Sequence, residues 1–221
     1  MIALAGVSKS YGQGRSKRAV LSDLSALFDC SADVGILGAN ASGKSTLLRI
    51  IAGMELPDRG RVVRRVRVSF PLGHSGAFHP NLSAADNVRF VARLYGADTR
   101  RIVRFVREFS EIGARFEEPL STYSNNMRAR VTFATSIAFD FDVYIVDEIT
   151  AVGDPAFKRK CMLAFEERRK TARVIMASQS ANTIVRICKR GAVLEDGRLW
   201  VFPSMADAVA EYERVLPVSH A

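Results

Sequence analysis

An apolar run, Val34-Gly35-Ile36-Leu37, leads straight into Gly38-Ala39-Asn40-Ala41-Ser42-Gly43-Lys44-Ser45 and then a helical run from Thr46 to Met54. No other feature constrains the chain as much. The eight residues satisfy G-x-x-x-x-G-K-[ST], and strand, glycine turn and helix is the order phosphate binding requires. Glycines let the backbone turn so that successive N–H groups face one anion, and the helix N-terminus adds positive potential. Lys44 is then placed to reach β- and γ-phosphates, with the Ser45 hydroxyl on Mg²⁺. Average residue usage produces such a match in about 1% of chains of this length, and the flanking strand and helix lower that figure. The bland alternative is an ordinary Gly-rich turn.

A phosphate loop needs an acid to manage the metal. Val143-Tyr144-Ile145-Val146-Asp147-Glu148, about 100 residues downstream, is an apolar strand ending in two carboxylates. A strand end beside the loop puts Asp147 in reach of the Mg²⁺ shell through water, and Glu148 in reach of a proton from the attacking water. Alone the pattern is weak, because many strands end in solvated acids. After a phosphate loop it is strong.

Short buried runs at 34–37, 143–146 and 174–177, separated by helical patterns, suit a parallel sheet covered on both faces. Arg61 to Phe70, with valines at 62, 66 and 68, alternates and reads as one antiparallel or edge strand. Ser83 and Asp86 form a capping pattern before a helix with Val88, Val91, Ala92 and Tyr95 on one face. A second helix from about Asp98 aligns Ile102, Phe105, Val106, Phe109 and Ile112, with Arg101, Arg104 and Arg107 opposite. Those arginines are either a solvated face or a docking surface. Asp154-Pro155 caps a further helix through Phe157, Cys161, Ala164 and Phe165, and Asp196-Gly197 turns a strand pair before a helix from Ser204 to about Arg214. The expected fold is α/β: a mixed sheet flanked by helices, an antiparallel N-terminal β part, and an inserted helical subdomain at about 76–138. One nucleotide-binding domain is expected over 1–221.

Charge and cysteine content narrow the class. With 32 Lys+Arg against 23 Asp+Glu the net charge is +9, and 12 arginines but four acids lie between Arg59 and Arg115. Such a face serves nucleic acid, anionic lipid or an acidic protein, and charge does not choose among them. Cys30, Cys161 and Cys188 are odd in number and far apart, against a disulfide framework or sulfur-rich zinc site. No stretch approaches the ~18 apolar residues of a membrane span. MIALAGVSKSYG lacks a secretory pattern, so a soluble, unexported chain is expected.

Taken together, the two motifs resemble the ATP-binding subunit of an ABC transporter over nearly the whole chain. In that family's pattern Ala151-Val152-Gly153-Asp154 matches the D-loop, and Tyr11 in Val7-Ser8-Lys9-Ser10-Tyr11 the aromatic that stacks on the base. Asp147-Glu148-Ile149-Thr150-Ala151-Val152-Gly153-Asp154 is narrower, resembling the branch that exports capsular polysaccharide and other cell-surface glycans. Two further stretches, from Ser69 through His79-Pro80 and from Asn87 to Gly96, are similar to that branch as well. The resemblance implies ATP and Mg²⁺ as cofactors, bound by Gly38 to Thr46 with Asp147.

Departures from the pattern matter. The signature falls on Tyr123-Ser124-Asn125-Asn126-Met127, which keeps Ser124 but has asparagine for both glycines. Asparagine tolerates left-handed backbone better than other non-glycine residues, yet crowds a close approach. The Q-loop glutamine falls at His74, and the switch histidine at Gln179, which donates a hydrogen bond but carries no proton's charge. His74 either contacts the water or metal shell or packs in its loop. Slow hydrolysis is the expectation.

The resemblance also implies a homodimer that sandwiches two ATP molecules, each phosphate loop facing the other subunit's Ser124, Asn126 and Asp154. A separate integral-membrane permease would carry the span, with this chain peripheral on the cytoplasmic face of the inner membrane and no nucleic acid expected. The rivals are a soluble ABC-type ATPase acting on nucleic acid, a P-loop kinase, and a weakly catalytic nucleotide-binding regulator.

Overall fold

The structure, a computed structural model, describes residues 1–73, 78–148 and 154–215. In chain order its elements are β1 (Ile2–Tyr11), β2 (Arg18–Phe28), β3 (Val34–Leu37), α1 (Lys44–Ala52), β4 (Arg59–Arg64), β5 (Val68–Pro71), α2 (Ala84–Leu94) and α3 (Thr99–Ser110). There follow α4 (Asn125–Ala138), β6 (Val143–Asp147), α5 (Pro155–Arg169), β7 (Arg173–Ser178), α6 (Ala181–Val185), β8 (Arg190–Glu195), β9 (Arg198–Phe202) and α7 (Met205–Val215). They fall into two compact units, one holding 1–71, 141–148 and 172–215, the other 72–73, 78–140 and 154–171.

The first unit contains two sheets. A three-stranded antiparallel sheet has the order β2-β1-β4, and a six-stranded sheet the order β5-β6-β7-β3-β8-β9. In the larger sheet β5, β6, β7, β3 and β8 run parallel, and β9 closes the edge antiparallel to β8. The runs Val34–Leu37 and Val68–Pro71 are buried at every residue, which is why they show no alternation. Register decides where the chemistry gathers: Leu37 lies opposite Ser178, and Asp147 opposite Ala177. The carboxyl ends of β3, β7 and β6 therefore stand side by side, where open α/β sheets bind ligands.

One expectation needs correcting. Arg61 to Phe70 is not a single strand. β4 joins the small sheet, with Leu4 opposite Val62, whereas β5 pairs in parallel with β6, with Val68 opposite Val143. Side chains drive the switch between sheets. Arg64 turns inward to donate to the carbonyls of Ile50 and Ile51 at the end of α1. Asp142 accepts from the backbone N–H of Arg67 at 2.7 Å, pinning the start of β5 beside β6. Within β5 the buried Ser69 hydroxyl accepts from Ile145 N at 2.9 Å, filling a gap where the β5–β6 register shifts.

The second unit is helical, and each helix opens on a side-chain cap. Ser83 accepts from Asp86 N, Asp98 from Arg100 N and Arg101 N, Ser124 from Met127 N, and Asp154 from Ala156 N and Phe157 N. Its core includes Ile102, Val106, Phe116, Val131 and Phe157. α3 stops at Ser110, since Glu111 turns left-handed at φ 56°, so Ile112 lies past the helix it was expected to extend. Residues 154–171 cluster with these helices as well, beyond the expected 76–138. Phe157 meets Phe109 edge-on at 5.9 Å between ring centres, and Lys160 pairs with Glu111 at 2.6 Å.

Candidate functional site

The phosphate-loop geometry follows from its glycines. Gly43, at φ 101°, is the N-cap of α1, and a Cβ there would meet Val20 Cγ1 at 2.8 Å. At Gly38 a Cβ would lie 2.5 Å from the carbonyl oxygen of Leu194. Either clash is closer than real side chains permit, so both positions require glycine. Ala41 completes the turn at φ 59°. Lys44 folds back over the loop and donates to the carbonyls of Gly38 and Ala39, each at 2.7 Å. Burial pushes its ammonium pKa down, opposed by the charges of Glu148 and Asp147.

Whether this loop suits a triphosphate is a question about orphan donors. No side chain caps the N-terminus of α1, and Leu47 N is the N–H that reaches back to Gly43 O. A helix whose first turn of amides lacks a cap, set behind glycines that admit no Cβ, suits an anion. The Ser42 hydroxyl is also buried without a hydrogen-bond partner among the described residues. The loop fits a phosphate. Mg²⁺ requires few protein oxygens, because it keeps water and takes phosphate oxygens. The exposed Ser45 hydroxyl and half-buried Asp147 carboxylate fit that demand. A cavity of about 460 Å³ flanks the loop on the side of Val20, Asp196 and Tyr212. Gly38 to Ser42 of the loop line it, whereas Lys44 and Ser45 do not.

At the carboxyl end of β6, Glu148 adopts φ 50° while its N–H donates to Ala177 O at 3.0 Å. Left-handed backbone on a glutamate stores about 1–3 kcal/mol and concentrates at functional sites. Gln179, just past β7, donates from Nε2 to Glu148 Oε1 at 3.1 Å. The expected base and switch residue, 31 positions apart, are thus in direct contact. One carboxylate oxygen is held, and the other remains to take a proton.

Tyr11 closes β1 with its residue 40% exposed. Its hydroxyl donates to Glu55 Oε1 at 2.5 Å and accepts from Arg49 Nη2 at 3.1 Å, leaving ring surface open to a stacking partner. The sequence alone assigns no role to Arg49 or Glu55. The available signal was a lone arginine in the apolar run Leu47-Leu48-Arg49-Ile50-Ile51, which needs an acid nearby.

Tyr11, Gly38 to Thr46, Asp147, Glu148 and Gln179 belong to the first unit, and Ser124, Asn126 and Asp154 to the second. Asn125 and Asn126 form the first turn of α4, and neither has positive φ, so the left-handed turn considered from the sequence does not arise. The Asp154 carboxylate is already engaged: Oδ1 caps α5, and Oδ2 accepts from Arg130 at 2.6 Å. Its first task is structural. His74 and Ile149-Thr150-Ala151-Val152-Gly153, the Q-loop position and most of the D-loop, lie outside the described residues.

A family model described as ABC transporter matches residues 21–151. The chain is 42% identical over 217 residues to the capsule polysaccharide export ATP-binding protein CtrD of Neisseria meningitidis serogroup B, covering 98% of this chain and 100% of that one. It is 39% identical over 219 residues to the polysialic acid transport ATP-binding protein KpsT of Escherichia coli, covering 98% and 100%. Among solved structures, the dimeric ATP-binding cassette MJ0796 in a post-hydrolysis state with ADP and Pi superposes with a TM-score of 0.71. That match covers 90% of this chain and 96% of the other at 22% identity, a likeness of fold.

Proposed function

The chain belongs to the ABC transporter family, and from that premise we propose that it is the ATP-hydrolysing subunit driving export of a capsular or other cell-surface polysaccharide across the inner membrane. The observation that carries this reading is the meeting of Lys44, Asp147, Glu148 and Gln179 at adjoining strand ends, in a chain 42% identical to a capsule exporter over 98% of its length.

ATP is the substrate. The Tyr11 ring stacks on the base, and the loop amides from Gly38 to Thr46 hold the triphosphate. Lys44 leaves the carbonyls of Gly38 and Ala39 for phosphate oxygens, which gives an ammonium destabilised by burial a full counter-charge. Ser45 and Asp147 would hold Mg²⁺, which when bound would supply neutralisation of phosphate charge. Glu148 takes a proton from the attacking water as its oxygen bonds to the γ-phosphorus and the bond to the β-phosphate oxygen breaks. Gln179 orients Glu148 and donates a hydrogen bond, but it cannot relay a proton.

Two copies enclose two ATP molecules head to tail, so that one subunit's phosphate loop faces the other's signature helix. Ser124 offers its hydroxyl hydrogen and the N-terminus of α4 to the γ-phosphate, with Asn126 in the same turn. No helix among the described residues is long and apolar enough to cross a membrane. On this reading a separate permease provides the path, and the chain attaches peripherally from the cytoplasmic side.

Reconstitution tests the assignment. Inverted vesicles bearing the chain with a permease should move capsular polysaccharide inward only with hydrolysable ATP, and hydrolysis without glycan movement would refute the cargo. Slow turnover is tested separately. If the altered switch position limits the rate, Gln179→His should raise kcat toward tenfold, about 1.4 kcal/mol of transition-state stabilisation. An unchanged kcat would place the limit elsewhere.

A further inference from the structure

The Tyr11 hydroxyl sits in a closed polar cluster that the hydrolysis chemistry does not use. It donates to Glu55 Oε1 at 2.5 Å, accepts from Arg49 Nη2 at 3.1 Å and lies 3.3 Å from Thr46 Oγ1. Arg49 also donates to Thr46 Oγ1 at 3.2 Å and, through Nε, to Glu55 Oε2 at 3.0 Å. Lys9 Nζ joins from β1, 3.2 Å from Glu55 Oε1, and stands over the Tyr11 ring 5.6 Å from its centre. The Arg49 and Glu55 side chains are only 31% and 18% exposed. Burial raises the Glu55 pKa, but hydrogen bonds from Tyr11, Arg49 and Lys9 outweigh it and hold the carboxyl below its usual range. Glu55 is therefore a permanent acceptor between three donors.

The placement of these residues gives the cluster a purpose. Thr46 and Arg49 both lie on α1, the helix that begins at Lys44 and carries the phosphate loop, while Glu55 follows just after Gly53 ends it. Tyr11 comes from another element, the last residue of β1. The distance from base to triphosphate in a nucleotide is limited by the sugar between them, so a base platform helps most when held rigidly relative to the phosphate seat. We propose that Arg49 and Glu55 are positioning residues that strut the Tyr11 ring onto the phosphate-loop helix and so raise affinity for the base-bearing part of ATP. The inference rests on the reading of Tyr11 as the base-stacking aromatic, and goes beyond it by assigning what holds the ring.

Loss of the strut returns rotamer freedom that binding must then remove, a penalty of about three- to tenfold in affinity. The experiment measures dissociation constants of the full chain for Mg-ATP and for inorganic tripolyphosphate by titration calorimetry, using Tyr11→Phe, Glu55→Gln, Arg49→Lys and Tyr11→Ala, with thermal melts to confirm folding. We expect Tyr11→Phe and Glu55→Gln each to weaken ATP about three- to tenfold, the double variant to be no worse than either, and Glu55→Gln to leave tripolyphosphate binding unchanged. Equal loss for both ligands would mean that α1 has merely loosened, and would overturn the proposal. Wild-type ATP affinity in Tyr11→Phe and Glu55→Gln, with weak binding in Tyr11→Ala, would remove the strut and keep the platform. Wild-type affinity in Tyr11→Ala would remove the platform itself. Arg49→Lys keeps the charge but loses the second donor, so it should weaken ATP as Glu55→Gln does, and wild-type ATP affinity in it would overturn the role assigned to Arg49.

Discussion

Glu148 combines left-handed backbone at φ 50° with a side-chain oxygen held by Gln179. Its conformation is maintained by neighbours rather than by its own preference, as expected of a group kept in one pose for a proton transfer. Glu148→Gln retains the shape and removes the carboxylate proposed as the base. Hydrolysis should fall about 10²- to 10⁴-fold while ATP binding persists, and size-exclusion chromatography should show an ATP-stabilised dimer; normal turnover would strip Glu148 of its role. A second residue reports on packing. Cys161 is buried on α5, and desolvation pushes its thiol up to about 12. The unfolded thiol ionises near pH 8.5, so the folded form holds its proton more tightly. Stability from this group is complete below that value and declines as pH rises toward about 12. Native Cys161 should resist iodoacetamide at pH 9 and react on unfolding, as read by mass spectrometry.

At the scale of elements, helix N-termini divide into two kinds. α2, α3, α4 and α5 open on side-chain caps, whereas α1 opens on a glycine that offers none. A capped terminus spends its amides internally, and an uncapped one keeps them for a ligand. α4 belongs to both kinds, because Ser124 accepts from Met127 N and still has a hydroxyl hydrogen to donate. Aspartate caps as well as serine but brings negative charge. Ser124→Asp should therefore melt within about 0.5 kcal/mol of the parent yet lose ATP-driven dimerisation in the Glu148→Gln background. Dimers that survive would show that the signature turn does not meet phosphate.

For the whole molecule, the net charge of +9 poses the question of partners. The arginines of α3 are less free than composition suggested, since Arg101 pairs with Asp140 at 3.3 Å and Arg107 with Glu117. Exposed pairs of this type contribute only about 0–1 kcal/mol each and can be exchanged for another anionic partner. Reversing Arg101, Arg104 and Arg107 to glutamate should weaken membrane recovery and its salt sensitivity in flotation assays, and unchanged recovery would leave them as a solvated face. The local signals were legible because they act over a few residues: the phosphate loop, the acid-ended strand and the caps at Ser83, Asp98 and Asp154 are each written in a short run. Equally local were the buried strands, whose unbroken apolar runs have no solvent face to alternate with. Tertiary structure alone decided that Arg61 to Phe70 divides between two sheets, that Gln179 donates to Glu148, that Asp154 is tied to Arg130, and that the Tyr11 hydroxyl donates to Glu55. Each of these joins groups far apart along the chain. Which partner such a side chain finds depends on where folding brings the backbone, and no run of neighbouring residues contains that information.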